Sequence, residues 1–275
     1  MRITERFDYE EIQGFKFGYS PIGKPSLFAI IYYVDGLLID TGQRSMQKAI
    51  LEKTSDLPVQ QMLITHHHED HSGNIRELRD QFNCKAYASE KCCELMKDPP
   101  SISFAQYMVW SSRPACHDLT PISGSIQTEN YEFQLIPIPG HAEDMVALYE
   151  PERRWLFSAD LFINGYISYF LKNESIVDQI NSIKRILELD FKVLLCSHNP
   201  RIHDGREKLQ EKLNYLEDFH SRVSQEYQKG NSASRIMKNL KLNENTYIRL
   251  FSHGQLSMMN MVRSSIRDYE NSKNS

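Results

Sequence analysis

The chain has 275 residues, 40% of them hydrophobic and 25% charged, with a formal net charge of −4. It holds enough apolar side chains for a sizeable core, and its acidity argues against a nucleic-acid partner, whose binding surface would be basic. The longest apolar run, Leu27 to Val34, is too short to span a bilayer. The charged start MRITERFDYEE lacks the apolar core of an export signal, and five cysteines, with Cys92 and Cys93 adjacent, do not make a disulfide framework. A cytoplasmic protein with no membrane and no nucleic-acid partner is expected.

Residues 11–40 alternate and carry β-branched and aromatic side chains, and Asp35-Gly36 between LFAIIYYV and LLID predicts a tight hairpin turn. QMLIT (61–65) predicts a short strand that delivers the chain into Thr65-His66-His67-His68-Glu69-Asp70-His71-Ser72-Gly73. Ile75, Leu78 and Phe82 then recur at helical spacing, and CKAYAS (84–89) reads as a strand. Residues 97–122 carry Pro99, Pro100, Pro114 and Pro121 around Phe104, Tyr107 and Trp110. This predicts a loop or partly helical lid whose three aromatics are candidates for lining a substrate pocket.

SGSIQ and YEFQLIPIPG read as strands, the second ending at Gly140-His141, and MVALYE, PERR and WLFSAD as a hairpin ending at Asp160. Over 174–190, Ile176, Ile180, Ile183 and Leu187 share a helical face, with Asn173 as the expected cap. VLLCS (193–197) is a buried-type strand that runs into His198. From residue 206 the pattern turns helical. Leu209, Leu213, Leu216, Phe219 and Val223 mark one amphipathic helix; Leu256, Met259, Val262 and Ile266 mark another. The chain therefore divides into an α/β part over 1–205 and a helical extension over 206–275. The extension suits closure over a substrate or contact with a second copy in a homodimer.

His66, His68, Asp70 and His71 spell H-x-H-x-D-H, four metal-binding side chains in six residues. Imidazoles and a carboxylate at that density suit a divalent ion: zinc in the first place, with iron or manganese accepting the same ligands. Three later strands end on further candidates, His141, Asp160 and His198. His66, His68 and His141 suffice for one ion and Asp70, His71 and His198 for a second, with the Asp160 carboxylate able to bridge them. His67, between ligands, is expected to point away. Cys196 reads as a small buried strand residue, and His117 and His253 as surface residues. Tyr166 and Tyr169 are candidate phenolic donors to an oxyanion.

H-x-H-x-D-H after a strand, then PGHAEDMV, WLFSAD and VLLCSH, together resemble the metallo-β-lactamase-fold hydrolase superfamily over roughly residues 15–205. The resemblance implies an α/β (α+β) fold, a four-layer αββα sandwich with the metals at one edge of its two sheets. It implies metal ligation by His66, His68, Asp70, His71, His141, Asp160 and His198, with Asp70 also catalytic. Asp40, in LLIDTG, would support the metal loop from behind. The expected activity is hydrolysis of a small-molecule ester, thioester or lactone by a hydroxide between two divalent metal ions.

Other readings stay open. Persulfide dioxygenases keep a related histidine motif with one iron. Phosphodiesterases or nucleases of the ribonuclease Z kind are opposed by the acidic balance. Glyoxalase II shares the motif, but its basic glutathione-binding segment has no counterpart in the C-terminal region. Quorum-signal lactonases carry a phenol where Ile163 stands, and flavodiiron proteins a glutamate where His68 stands.

Overall fold

The computed structural model describes residues 1–25 and 27–274. Strands β1 (Arg2–Tyr9), β2 (Ile12–Tyr19), β3 (Ala29–Val34) and β4 (Leu37–Ile39) run antiparallel to one another. Parallel strands β5 (Gln61–Ile64), β6 (Lys85–Ala88) and β7 (Thr120–Pro121) extend the sheet to seven strands in chain order. A five-stranded sheet holds β8 (Ser125–Gln127), β9 (Glu132–Pro137), β10 (Val146–Glu150), β11 (Trp155–Ala159) and, beyond the short β12 (Phe170–Leu171), β13 (Val193–Cys196), in the order β13-β11-β10-β9-β8. β12 pairs with β14 (Leu256–Ser257).

The helices are α1 (Gln47–Thr54), α2 (Glu69–Ser72), α3 (Ile75–Phe82), α4 (Glu90–Lys97), α5 (Phe104–Trp110), α6 (Ile176–Leu187), α7 (Gly205–Gln228), α8 (Ala233–Asn239), α9 (Thr246–Phe251) and α10 (Met258–Asn274). The Asp35-Gly36 turn is as predicted: both residues have positive φ (46° and 81°), and Val34 pairs with Leu37 across it. That is the twist a two-residue hairpin requires.

Side-chain alternation generates the layers. Along β3, Ile30, Tyr32 and Val34 face the second sheet, where they meet Phe133, Trp155, Phe157 and Leu195. Ile31 and Tyr33 point the other way, into a core with Ile50, Leu78 and Met96 from α1, α3 and α4. On the far side, Leu156, Leu194 and Cys196 pack under Ile176, Ile180 and Ile183 of α6 and Leu209, Leu213 and Leu216 of α7. Helices cover both outer faces, so the central strands are apolar on both sides. The order helix, sheet, sheet, helix is the expected four-layer sandwich.

Three expectations change. The α6 cap is Ser175, whose hydroxyl accepts from the Asp178 backbone N–H, rather than Asn173. In the last helix the buried residues include Met258, Met261 and Val262, while Leu256 belongs to β14. The extension also contains α8 and α9, which no periodicity had marked. Its apolar side chains, Leu209, Leu213, Leu216, Phe219, Val223, Met261 and Val262, join the core beneath the second sheet.

Candidate metal centre

The loop after β5 is held in shape by Asp40, a residue with positive φ (63°) just past β4. Its Oδ1 accepts from the Thr65 backbone N–H (2.8 Å). Its Oδ2 accepts from the Thr65 hydroxyl (2.9 Å) and lies 2.8 Å from His71 Nδ1. Thr41 donates its hydroxyl to the His71 carbonyl (2.7 Å). His67 turns away as expected: its backbone N–H donates to Asp144 Oδ2 (2.7 Å), and its Nδ1 meets Asp144 Oδ1 at 2.8 Å. His68 precedes α2, whose single turn carries Asp70 and His71.

The later residues are delivered by local irregularities. Gly140 has φ 137°, and a Cβ there would lie 2.5 Å from the Gln179 nitrogen, so only glycine makes this turn into His141. Before Asp160, Ala159 has φ 45° and the β11–β13 register shifts between Phe157 and Ala159. Such a bulge re-aims the residue that follows. His198 is anchored by its Nδ1, which donates to the Phe28 carbonyl at 2.6 Å.

The structure brings all seven predicted residues together. The ligand atoms of His66, His68 and His141 lie within 4.8 Å of one another, as do those of Asp70, His71, Asp160 and His198. His68 Nδ1 is 3.0 Å from His66 Nε2 and 3.0 Å from His141 Nε2. Asp160 Oδ2 stands between the two groups, 3.4 Å from His141 Nε2 and 3.1 Å from His198 Nε2. Asp160 Oδ1 is 3.3 Å from His71 Nε2, and Asp70 Oδ2 is 3.5 Å from His198 Nε2.

This donor set suits cations. Buried His71 Nε2 and Asp160 Oδ1 have no hydrogen-bond partner despite their proximity, an expensive state unless a positive charge joins them. Burial, reinforced by neighbouring imidazoles, holds His66 and His68 well below the usual histidine range, so both rings are neutral lone-pair donors. Burial pulls His71 and His198 the same way, but Asp160, with Asp40 for His71 and Asp70 for His198, outweighs it. His71 ends well above its usual value and His198 at about 9. Burial raises Asp160, yet His198 and His71 hold it well below the usual carboxylate range. The cluster thus demands positive charge, which protons or divalent ions can provide.

A cavity of about 420 Å³ opens on this cluster. Of the three lid aromatics, Trp110 lines it and is 8% exposed, whereas Phe104 and Tyr107, at 60% and 52%, stand in solvent. Tyr166 and Tyr169 line the cavity, and so does Ile163. Cys196 is a buried thiol: its sulfur accepts from the Asn199 N–H, and burial pushes it up to about 12. His117 and His253 are exposed, outside both groups.

Three groups were missed. Glu174 Oε2 lies 3.3 Å from His141 Nδ1 and orients that ring. Glu69, next to Asp70, forms a buried pair with Arg113 of the lid (3.1 Å). Burial and the Asp70 charge raise it to about 7 against the pull of the guanidinium. Lys212 of α7 lines the cavity from the extension. A lysine three residues past Leu209 and four before Leu216, on an apolar stripe, was the visible signal.

Residues 31–198 match the family model of the metallo-beta-lactamase superfamily. An uncharacterized protein of Aquifex aeolicus is 30% identical over 179 residues, covering 63% of this chain and 83% of that protein. A hydroxyacylglutathione hydrolase of Bdellovibrio bacteriovorus is 26% identical over 147 residues, and the match spans about half of each chain, 53% here and 51% there. Among solved structures, a metallo-beta-lactamase family protein from Thermus thermophilus superposes with a TM-score of 0.65 over 94% of both chains at 17% identity, which speaks for the fold alone.

Proposed function

Given that this chain belongs to the metallo-beta-lactamase superfamily, we propose that it is a dinuclear metal-dependent hydrolase of a small ester, thioester or lactone. The observation that carries the reading is Asp160 Oδ2, within 3.4 Å of a nitrogen from each histidine group, where one carboxylate can serve two ions. His66, His68 and His141 would hold one ion and Asp70, His71 and His198 the other, with zinc favoured by the imidazole-rich set. When bound, such a pair supplies hydroxide near neutral pH and polarises a carbonyl oxygen.

The chain's own residues contribute the rest. Asp70 lines the cavity, so its carboxylate can orient the nucleophile and later carry a proton to the leaving group. Trp110, Ile163, Ile167 and Leu171 exclude water around the acyl portion. The relative named a hydroxyacylglutathione hydrolase supports cleavage of an acyl compound. All five cysteines are free thiols, consistent with a reducing cytoplasm. Among the described residues no helix is long and apolar enough to cross a membrane.

Protein loaded with two equivalents of zinc, manganese or iron tests the reading on a panel of esters, thioesters and lactones. Turnover of one class is expected, with kcat falling about 10²–10⁴-fold in Asp70→Asn. Absence of turnover on every class with the metals fully loaded contradicts it.

A further inference from the structure

Lys212 is a cation of the cavity wall that this chemistry leaves unused. It lies on α7 between Leu209 and Leu213, on the face that enters the core, and is 1% exposed. Its ammonium donates to the Leu161 carbonyl at 2.7 Å, and among the described residues it forms no ion pair. An ammonium has three N–H donors, and a cation withdrawn from water with donors unmet is unfavourable. Glu174 and Asp160 are the carboxylates whose charge acts on it, neither at ion-pair distance, and Glu174 is engaged elsewhere. Its Oε1 accepts from the Leu171 N–H (2.8 Å); its Oε2 accepts from Gln179 Nε2 (2.7 Å) and faces His141 Nδ1.

Lys212 nonetheless lines the same cavity as His141 and Asp160, and among the described lining residues it is the one lysine or arginine. Much of that wall is apolar, with Leu27, Trp110, Ile163, Ile167, Leu171 and Leu256.

We propose that Lys212 forms an anion subsite in this cavity and that the substrate brings a carboxylate to it. This takes the cavity as the substrate site of the hydrolase proposed above. A carboxylate offers two acceptor oxygens to the two remaining donors, and the burial of Lys212 limits the screening of that attraction. A wholly neutral acyl chain would fill the apolar wall and leave the ammonium with the Leu161 carbonyl as its hydrogen-bond acceptor. The substrate class is therefore a compact acyl compound with an apolar body and a carboxylate apart from the scissile carbonyl. Either the acyl chain or the leaving group can carry that carboxylate.

Three thioesters separate the cases: pentanoyl-N-acetylcysteamine, which is neutral; glutaryl-N-acetylcysteamine, with the carboxylate on the acyl chain; and the pentanoyl thioester of 3-mercaptopropionate, with it on the thiol. The metal-loaded protein is expected to favour one of the charged substrates over the neutral one by about 10–100-fold in kcat/KM, the worth of a charge-assisted hydrogen bond. In Lys212→Met that ratio collapses toward one, and Lys212→Arg retains part of it. Calorimetric binding of glutarate against pentanoate supplies a readout without turnover. Tighter glutarate binding that is lost in Lys212→Met supports the subsite even if no thioester is cleaved, in which case the hydrolase reading falls alone. No preference by the unmodified protein for any charged thioester or for glutarate overturns the subsite, whether or not the thioesters are hydrolysed and whether or not a variant folds.

Discussion

At the scale of single residues, the site depends on side chains that touch no substrate. Asp40 fixes the His71 ring through Nδ1 and holds Thr65 at the start of the loop. Asp40→Asn keeps the shape but weakens the hold on His71, and metal affinity should fall about 10–100-fold in a competition titration against a chromogenic chelator. Lys212 makes a prediction of opposite sign. Burial lowers its ammonium from 10.5 to about 8, although Glu174 and Asp160 pull it up. The unfolded chain therefore binds more protons between those values, and stability rises with pH across that window; below it the whole penalty is present. Lys212→Met should be more stable than the parent at pH 7, by about 3 kcal/mol at most, with the gap closing by pH 10.5 in urea unfolding. The seven clustered residues were legible because four crowd into one loop and three follow apolar strands. Glu174 was not, because it lies just before α6, whose apolar face is the stronger local signal. Lys212 was not, because one lysine on an apolar stripe passes for a snorkelling side chain.

At the scale of elements, strands were the most legible feature. Those of the sheet centre are apolar on both faces, and the turns between them carry Asp35-Gly36 or PERR. The short helices were less legible. Yet Ser103 and Gln106 form a capping box at α5, and Ser232 and Asn245 cap α8 and α9, all signals written in the sequence. Prolines around α5 argued for a loop and hid the first of them. The lid is fastened to the metal loop by Arg113, which donates to Glu69 and to the Pro100 carbonyl (2.9 Å). Arg113→Met would leave Glu69 to hold its proton at neutral pH and should cost about 1–3 kcal/mol in denaturant unfolding, the worth of a buried polar group without its partner. Adding Glu69→Gln to that variant should recover part of the loss, because no buried carboxyl then has to be kept neutral. An unchanged unfolding midpoint in Arg113→Met would remove the fastening role.

At the scale of the molecule, four layers place the ends of β5, β11 and β13 and the turn after β9 along one edge, where residues more than a hundred positions apart meet. The pairing of β11 with β13 and the order of the second sheet depend on long-range packing, which local periodicity does not encode. The extension belongs to this whole. Leu209, Leu213, Leu216, Phe219, Val223, Met261 and Val262 are buried against the second sheet and α6. At roughly 1.5–3 kcal/mol per side chain, their loss exceeds the margin by which such a domain is folded. Deleting 206–275 should therefore yield aggregated or unfolded protein by circular dichroism and gel filtration, and a folded, monodisperse truncation would contradict the shared core. If seven side chains assemble a two-metal centre bridged by Asp160, anomalous scattering at the zinc edge from crystals of the zinc-loaded protein will locate both ions. Two peaks are predicted, one at His66, His68 and His141 and the other at Asp70, His71 and His198, both in contact with Asp160. A single peak, or zinc bound away from these residues, would contradict it.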